Sequence, residues 1–299
     1  MDAVVTLIGP RAGTLDAAIV AEAARALNAL GAEVGVVDWL AQDHAADLPF
    51  SGPEPATVQA AVRDALGGRP IDIVAQPLHH RRKRLMLSDM DATMVAEETL
   101  DEVAAVAGLG ERIAAITRRA MAGEMDFPAA LKERIRIMSG VEETLFQRVL
   151  DSATVNPGAE VAIRTMVANG CHTILVTGGF DLITRPLAER IGFQEFRCNA
   201  LDIEDGRLTG RVAEPIFGRE GKAVTLSDAA TARSIDRAET MAVGDGANDA
   251  EMIRAAGLGV AYRGKDVLRQ VAAAWLDHAD LTGLLFVQGY RQDEFVRPA

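Results

Sequence analysis

Apolar residues in this chain gather in short β-branched runs separated by longer stretches of helical period. Residues 4–8, Val-Val-Thr-Leu-Ile, end at Gly9-Pro10 and read as a strand followed by a turn. Residues 16–30 are alanine-rich and amphipathic and close at Gly31, the pattern of a helix. Residues 33–40 read as a second strand, and 46–50 as a third before the breakers Ser51-Gly52-Pro53. A second helix over 57–66 ends at Gly67-Gly68, and residues 71–76 form a last strand. The order βαββαβ predicts a small α+β ferredoxin-like sandwich over residues 1–80.

Beyond residue 81 the pattern changes. Residues 85–88, 173–177 and 240–243 are short apolar strands, each followed by a polar or glycine-rich turn. Short buried strands spaced by helical stretches predict an α/β, Rossmann-like doubly wound parallel sheet over residues 81–299. Such sheets bind ligands at the carboxyl ends of their strands, so the three turns belong on one rim. Residues 97–157 interrupt the alternation with helical periods at 98–108, 111–122, 128–138 and 142–152. Helices inserted after the first strand read as a cap over that rim.

Composition narrows the function. Of 299 residues, 49% are hydrophobic and 25% charged, a globular balance long enough for two domains. The net charge of −12 argues against a general nucleic-acid binder and requires any phosphate site to concentrate positive charge locally. The one basic run, His79-His80-Arg81-Arg82-Lys83-Arg84, reads as a solvated linker between domains in this acidic context. Cys171 and Cys198 lack metal-ligand spacing and suggest a reducing compartment. Without a signal-like start or a membrane-length apolar run, the expectation is a cytoplasmic protein with no membrane partner.

Chemistry concentrates at the strand ends. Asp89-Met90-Asp91-Ala92-Thr93 sets two carboxylates two residues apart on a tight loop, one able to attack phosphorus and the other to move a proton. The second role needs a pKa raised relative to its neighbour. Gly244-Asp245-Gly246-Ala247-Asn248-Asp249 offers further carboxylates that could complete an oxygen cage for Mg²⁺. Thr177-Gly178-Gly179 can cradle an anion with a hydroxyl and backbone N–H groups. Lys222, at the start of a helix, supplies a cation. Each alone has an ordinary reading as a turn, a cap or a surface charge.

Together, in this order, the four motifs resemble the signature of the haloacid dehalogenase superfamily, from residue 85 to about residue 278. Within it the chain is most similar to the phosphoserine phosphatase family. The resemblance rests on the run from Asp89 to Glu102, on Ala120-Met121-Ala122-Gly123-Glu124-Met125-Asp126-Phe127 with Leu131-Lys132-Glu133-Arg134, and on Thr177-Gly178-Gly179-Phe180. The 23-residue spacing from Lys222 to Asp245 also matches. Ala92 and Thr177 stand where that family usually has serine; threonine keeps the hydroxyl, and the role beside the nucleophile falls to Thr93. The N-terminal unit resembles the ACT regulatory domains that bind amino acids, by order of elements alone, and such units often pair, so a homodimer is expected.

The resemblance implies hydrolysis of O-phosphoserine to serine and phosphate, the last step of serine biosynthesis, through an aspartyl phosphate. It makes Asp89 the nucleophile and Asp91 the general acid and base. Mg²⁺ would be held by Asp89, the main-chain oxygen of Asp91, and Asp245, with Asp249 behind them. Lys222, Thr177, Gly178 and Asn248 would hold the phosphoryl group. Glu98 would take the substrate ammonium and Arg134 its carboxylate. Met121 and Phe127 would wall the pocket, although ordinary cap packing explains them equally well. Two other readings stay open: a related phosphatase or phosphotransferase acting on another small phosphomonoester, and an amino-acid sensor with a vestigial phosphatase site.

Overall fold

The computed structural model describes residues 1–121 and 124–298, without the side chain of Met121. The N-terminal lobe runs β1 (Ala3–Ile8), α1 (Ala17–Ala29), β2 (Glu33–Val34), β3 (Asp38–Ala41), β4 (Ala45–Ser51), α2 (Pro55–Leu66) and β5 (Asp72–Pro77). Its antiparallel sheet has the order β2-β4-β1-β5, with β3 also paired to β4, and is ferredoxin-like in topology. Asp16 caps α1 by accepting the Ile19 N–H at 2.8 Å, and Pro55 opens α2 at a position where its missing N–H costs nothing. Val20, Ala23 and Leu27 of α1 and Val58, Val62 and Leu66 of α2 bury against Val5, Leu7, Leu48 and Phe50 of the sheet.

The single strand expected over residues 33–40 is split. Opposite the break lies Pro49, which has no N–H for the ladder; it can only accept, from the Gly35 N–H at 2.8 Å. The register then steps from Val34 opposite Phe50 to Asp38 opposite Asp47.

The second lobe begins with β6 (Leu85–Ser88) and the helices α3 (Thr99–Val106), α4 (Gly110–Met121), α5 (Phe127–Ile137) and α6 (Thr144–Ser152). It continues through α7 (Ala159–Ala168), β7 (His172–Phe180), α8 (Asp181–Ile191), β8 (Glu195–Asn199), β9 (Leu201–Glu204), β10 (Arg207–Val212) and α9 (Arg219–Ala232). It ends with β11 (Thr240–Gly244), α10 (Ala250–Ala255), β12 (Leu258–Tyr262), α11 (Asp266–Arg269), β13 (Ala274–Leu276) and α12 (Gly283–Val287). The sheet order is β13-β12-β11-β6-β7-β8, parallel throughout. Alternation along β6 assigns its two faces: Leu85 and Leu87 pack with Leu226 of α9 and Met252 of α10, and Met86 with α7, α8 and α12.

A hairpin of β9 and β10 was not expected. Its turn places Asp205 at φ 49° and Gly206 at φ 72°, the left-handed pair that an Asp-Gly turn supplies. The hairpin braces the cap: the Gly140 N–H donates to the Leu208 carbonyl at 2.8 Å, and Ser139 Oγ donates to the Thr209 carbonyl at 3.2 Å.

The basic run between the lobes is only in part the solvated linker expected: His79, His80, Arg82 and Arg84 are exposed, but Arg81 and Lys83 are not. Arg81 is largely buried; it grips Asp47 at 2.5 Å and donates to the carbonyls of Phe286 and Val287. Lys83 is 7% exposed and donates to the carbonyls of His80 and Ala238. Asp72, on β5, accepts backbone N–H groups of Asp277, His278 and Ala279. Buried charges at a junction demand such partners, and the two lobes supply them to each other. Among the described residues, no helix is long and apolar enough to cross a membrane.

Candidate active site

At the carboxyl end of β6 the chain turns sharply, with Ala92 in the left-handed region at φ 52°. Asp89 is 3% exposed, and its Oδ1 accepts the N–H of Met90 at 2.7 Å. Asp91 Oδ1 accepts the Thr99 N–H at 3.0 Å, at the start of α3. Burial pushes the Asp91 carboxyl up to about 7; the Thr99 hydrogen bond opposes this, and the charges of Asp89 and Glu98 add to it. A carboxyl poised there can both give and take a proton near neutral pH.

The neighbouring strand β11 delivers the second acidic loop. Oxygens of Asp89, Asp245 and Asp249 lie within 4.8 Å of one another. Three hard oxygen donors at that spacing, all buried, fit a divalent cation. Lys222 enters from α9 and is 1% exposed, with Nζ 2.8 Å from Asp89 Oδ2 and 2.8 Å from Asp249 Oδ1. Burial pulls the lysine pKa down, but the two carboxylates outweigh it and the net shift is upward. Asn248 Nδ2 donates to Asp89 Oδ2 at 2.9 Å. Asp249 faces the interior: its Oδ2 accepts the N–H groups of Asp245 and Gly246, which fixes the loop.

On the other side of β6, the pairing of β7 with β8 shifts register between Val176 and Phe180, which frees Thr177-Gly178-Gly179 from the ladder. Thr177 Oγ1 accepts the Gly179 N–H at 2.9 Å and lies 3.5 Å from Asp91 Oδ2. Asn199 ties this loop down, donating to the carbonyls of Gly178 and Phe217 at 2.9 Å each.

The cap closes the top. Phe127 lies so close to two glycines that a Cβ on Gly178 would meet its Cζ at 2.9 Å, and one on Gly218 its Cδ1 at 3.0 Å. Arg134, on α5, is largely buried; its nearest acid is Asp101 at 3.9 Å, and its Nε has no hydrogen-bond partner. Glu98, at the rim, has its pKa raised by burial.

One cavity of about 880 Å³ collects Asp89, Asp91, Glu98, Phe127, Arg134, Thr177, Gly178, Lys222, Asp245 and Asn248. Asp249 stands behind its wall. The side chain of Met121 lies outside the described residues. Thr93 does not line the cavity; its Oγ1 is buried without a partner. Sequence reasoning missed Lys265, Arg219, Ile216 and Met125 on the lining, and Asn199 beneath it. Met125 lies within the cap run already singled out, whereas Lys265, Arg219, Ile216 and Asn199, lone side chains outside any motif, carry no local signal.

The profile of haloacid dehalogenase-like hydrolases matches residues 86–254. A phosphoserine phosphatase of Streptomyces coelicolor is 38% identical over 81% of this chain, which spans 59% of that relative's length. The phosphoserine phosphatase SerB2 of Mycobacterium tuberculosis is 38% identical over 91% of this chain and 68% of its own length. Among solved structures, a HAD family hydrolase from Salmonella enterica serovar Typhi superposes with a TM-score of 0.83 at 27% identity, covering 98% of this chain and 99% of its own.

Proposed function

Because the chain belongs to the haloacid dehalogenase-like hydrolase family, we propose that it hydrolyses O-phosphoserine to serine and phosphate, with Asp89 as nucleophile. The observation that carries this reading is one cavity holding a buried acid–lysine pair on its floor and, in its wall, the Arg134 guanidinium, whose nearest acid stands 3.9 Å away. The floor suits a phosphoryl group and the wall a carboxylate, the two anionic ends of phosphoserine.

Asp89 attacks phosphorus, an O–P bond forms, and the bond from phosphorus to the serine oxygen breaks. Asp91 gives its proton to that oxygen, then takes one from the water that attacks the aspartyl phosphate, releasing phosphate and restoring Asp89. Lys222 offsets charge on the phosphoryl oxygens, Thr177 and Gly178 hold those oxygens, and Asn248 steadies the Asp89 carboxylate. Mg²⁺, held by Asp89, the main-chain oxygen of Asp91 and Asp245, would add positive charge at the same oxygens. Arg134 clamps the substrate carboxylate and Glu98 pairs with its ammonium. Phe127 keeps water off the site when seated on Gly178 and Gly218. The functional division falls near residue 80, with the cap at about residues 97–157. Two free cysteines suit a reducing, cytoplasmic setting.

Phosphate release from O-phospho-L-serine, measured with Mg²⁺ and again with a chelator, tests the proposal. Turnover no faster than that of phosphohomoserine or a sugar phosphate would defeat the substrate assignment, and full turnover in chelator would defeat the metal assignment.

A further inference from the structure

Lys265 follows β12, lines the cavity and lies beside the second acidic loop. Its Nζ lies 3.2 Å from Asp245 Oδ2, and its backbone N–H donates to the Asp245 carbonyl at 2.8 Å. Its backbone is held: Arg269 Nε donates to the Gly264 carbonyl at 2.7 Å and its guanidinium pairs with Asp277 through two hydrogen bonds. The side chain is 66% exposed, while its partner carboxylate is 11% exposed. The contrast with Lys222 is plain, since that ammonium is sealed between two acids and cannot leave. Lys265 therefore covers one carboxylate oxygen of Asp245 with an exposed cation, and its charge also reaches Glu98.

We propose that Lys265 is a built-in counter-ion that competes with the divalent cation for Asp245 and so sets how tightly that cation is held. This rests on the reading of Asp89, the main-chain oxygen of Asp91, and Asp245 as a divalent-cation site. In the metal-free protein Lys265 pairs with Asp245 and eases repulsion among the acids. When the cation arrives, the ammonium swings to solvent with no change of backbone. The ion pair is exposed, so the competition is modest, and removing it changes metal affinity by about two- to five-fold.

Titration calorimetry of Mg²⁺ into metal-free protein provides the test, with the wild type, Lys265→Met and Lys265→Arg compared. Lys265→Met is expected to bind Mg²⁺ about two- to five-fold more tightly and, without metal, to melt at a lower temperature than the wild type. Lys265→Arg keeps the charge and should resemble the wild type. Equal or weaker binding by Lys265→Met would overturn the inference alone. No heat of binding in the wild type would remove the metal site and the inference with it.

Discussion

Lys222 sits 2.8 Å from Asp89 and 2.8 Å from Asp249, so one buried ammonium serves two carboxylates. Asp89→Asn removes one of these charges, yet Lys222 keeps Asp249. The fold should therefore survive while the nucleophile is lost. The expected result is a fall in phosphate release of roughly ten-thousand-fold or more, with an unchanged circular dichroism spectrum. Near wild-type turnover would remove Asp89 from its role.

Arg134 lines the cavity with only a distant acid, Asp101 at 3.9 Å, so its value should depend on a substrate with a carboxylate. Arg134→Ala should lower kcat/KM for phosphoserine by about 10- to 100-fold, mostly through KM, which corresponds to one charge-assisted contact. Hydrolysis of p-nitrophenyl phosphate should change little. Equal losses on both substrates would show that Arg134 does not read the carboxylate.

The contact between Phe127 and Gly218 predicts coupling between cap and core. A methyl at Gly218 would lie 3.0 Å from the Phe127 ring and push it off its seat. Gly218→Ala should lower kcat/KM several-fold, and Phe127→Ala should lower it too. The double variant should be no worse than the more damaged single one, because both remove the same contact. Simple additivity in that cycle would separate the two residues.

Arg81 tests the junction of the lobes. Arg81→Ala leaves Asp47 buried at 5% side-chain exposure without its cation, a change worth about 3–5 kcal/mol in comparable buried pairs. Thermal unfolding should show a clear drop in Tm. Combining Arg81→Met with Asp47→Leu, which removes both charges, should recover much of it. A melting temperature unmoved by Arg81→Ala would mean the pair adds nothing to stability.

The strand-end chemistry was legible because parallel strands are short and apolar and stop at the residues that do the work: Ser88 before Asp89, Gly244 before Asp245. Lys222 was legible only through its spacing from Asp245. Glu98 and Arg134 came from resemblance, since nothing in their local pattern distinguishes them from helix-surface charges. The hairpin had its signal in Asp205-Gly206, but the polar flanks of its strands hid the alternation. The basic run misled at Arg81 and Lys83 because charge density reads as solvation; only three dimensions bring Asp47 and the carbonyls of α12 to Arg81. Lys265 was invisible for the opposite reason, as a single lysine within an otherwise ordinary turn.

The large apolar cluster beneath the catalytic sheet takes in Ile8, Leu40, Ala41, Ala45 and Val74 from the first lobe, beside Met86 and Val243 from the strands that carry the acids. Severing the chain between the lobes would therefore expose oily surface on both fragments and strand the amides that Asp72 accepts. The first lobe is a wall of the catalytic body rather than a detachable attachment.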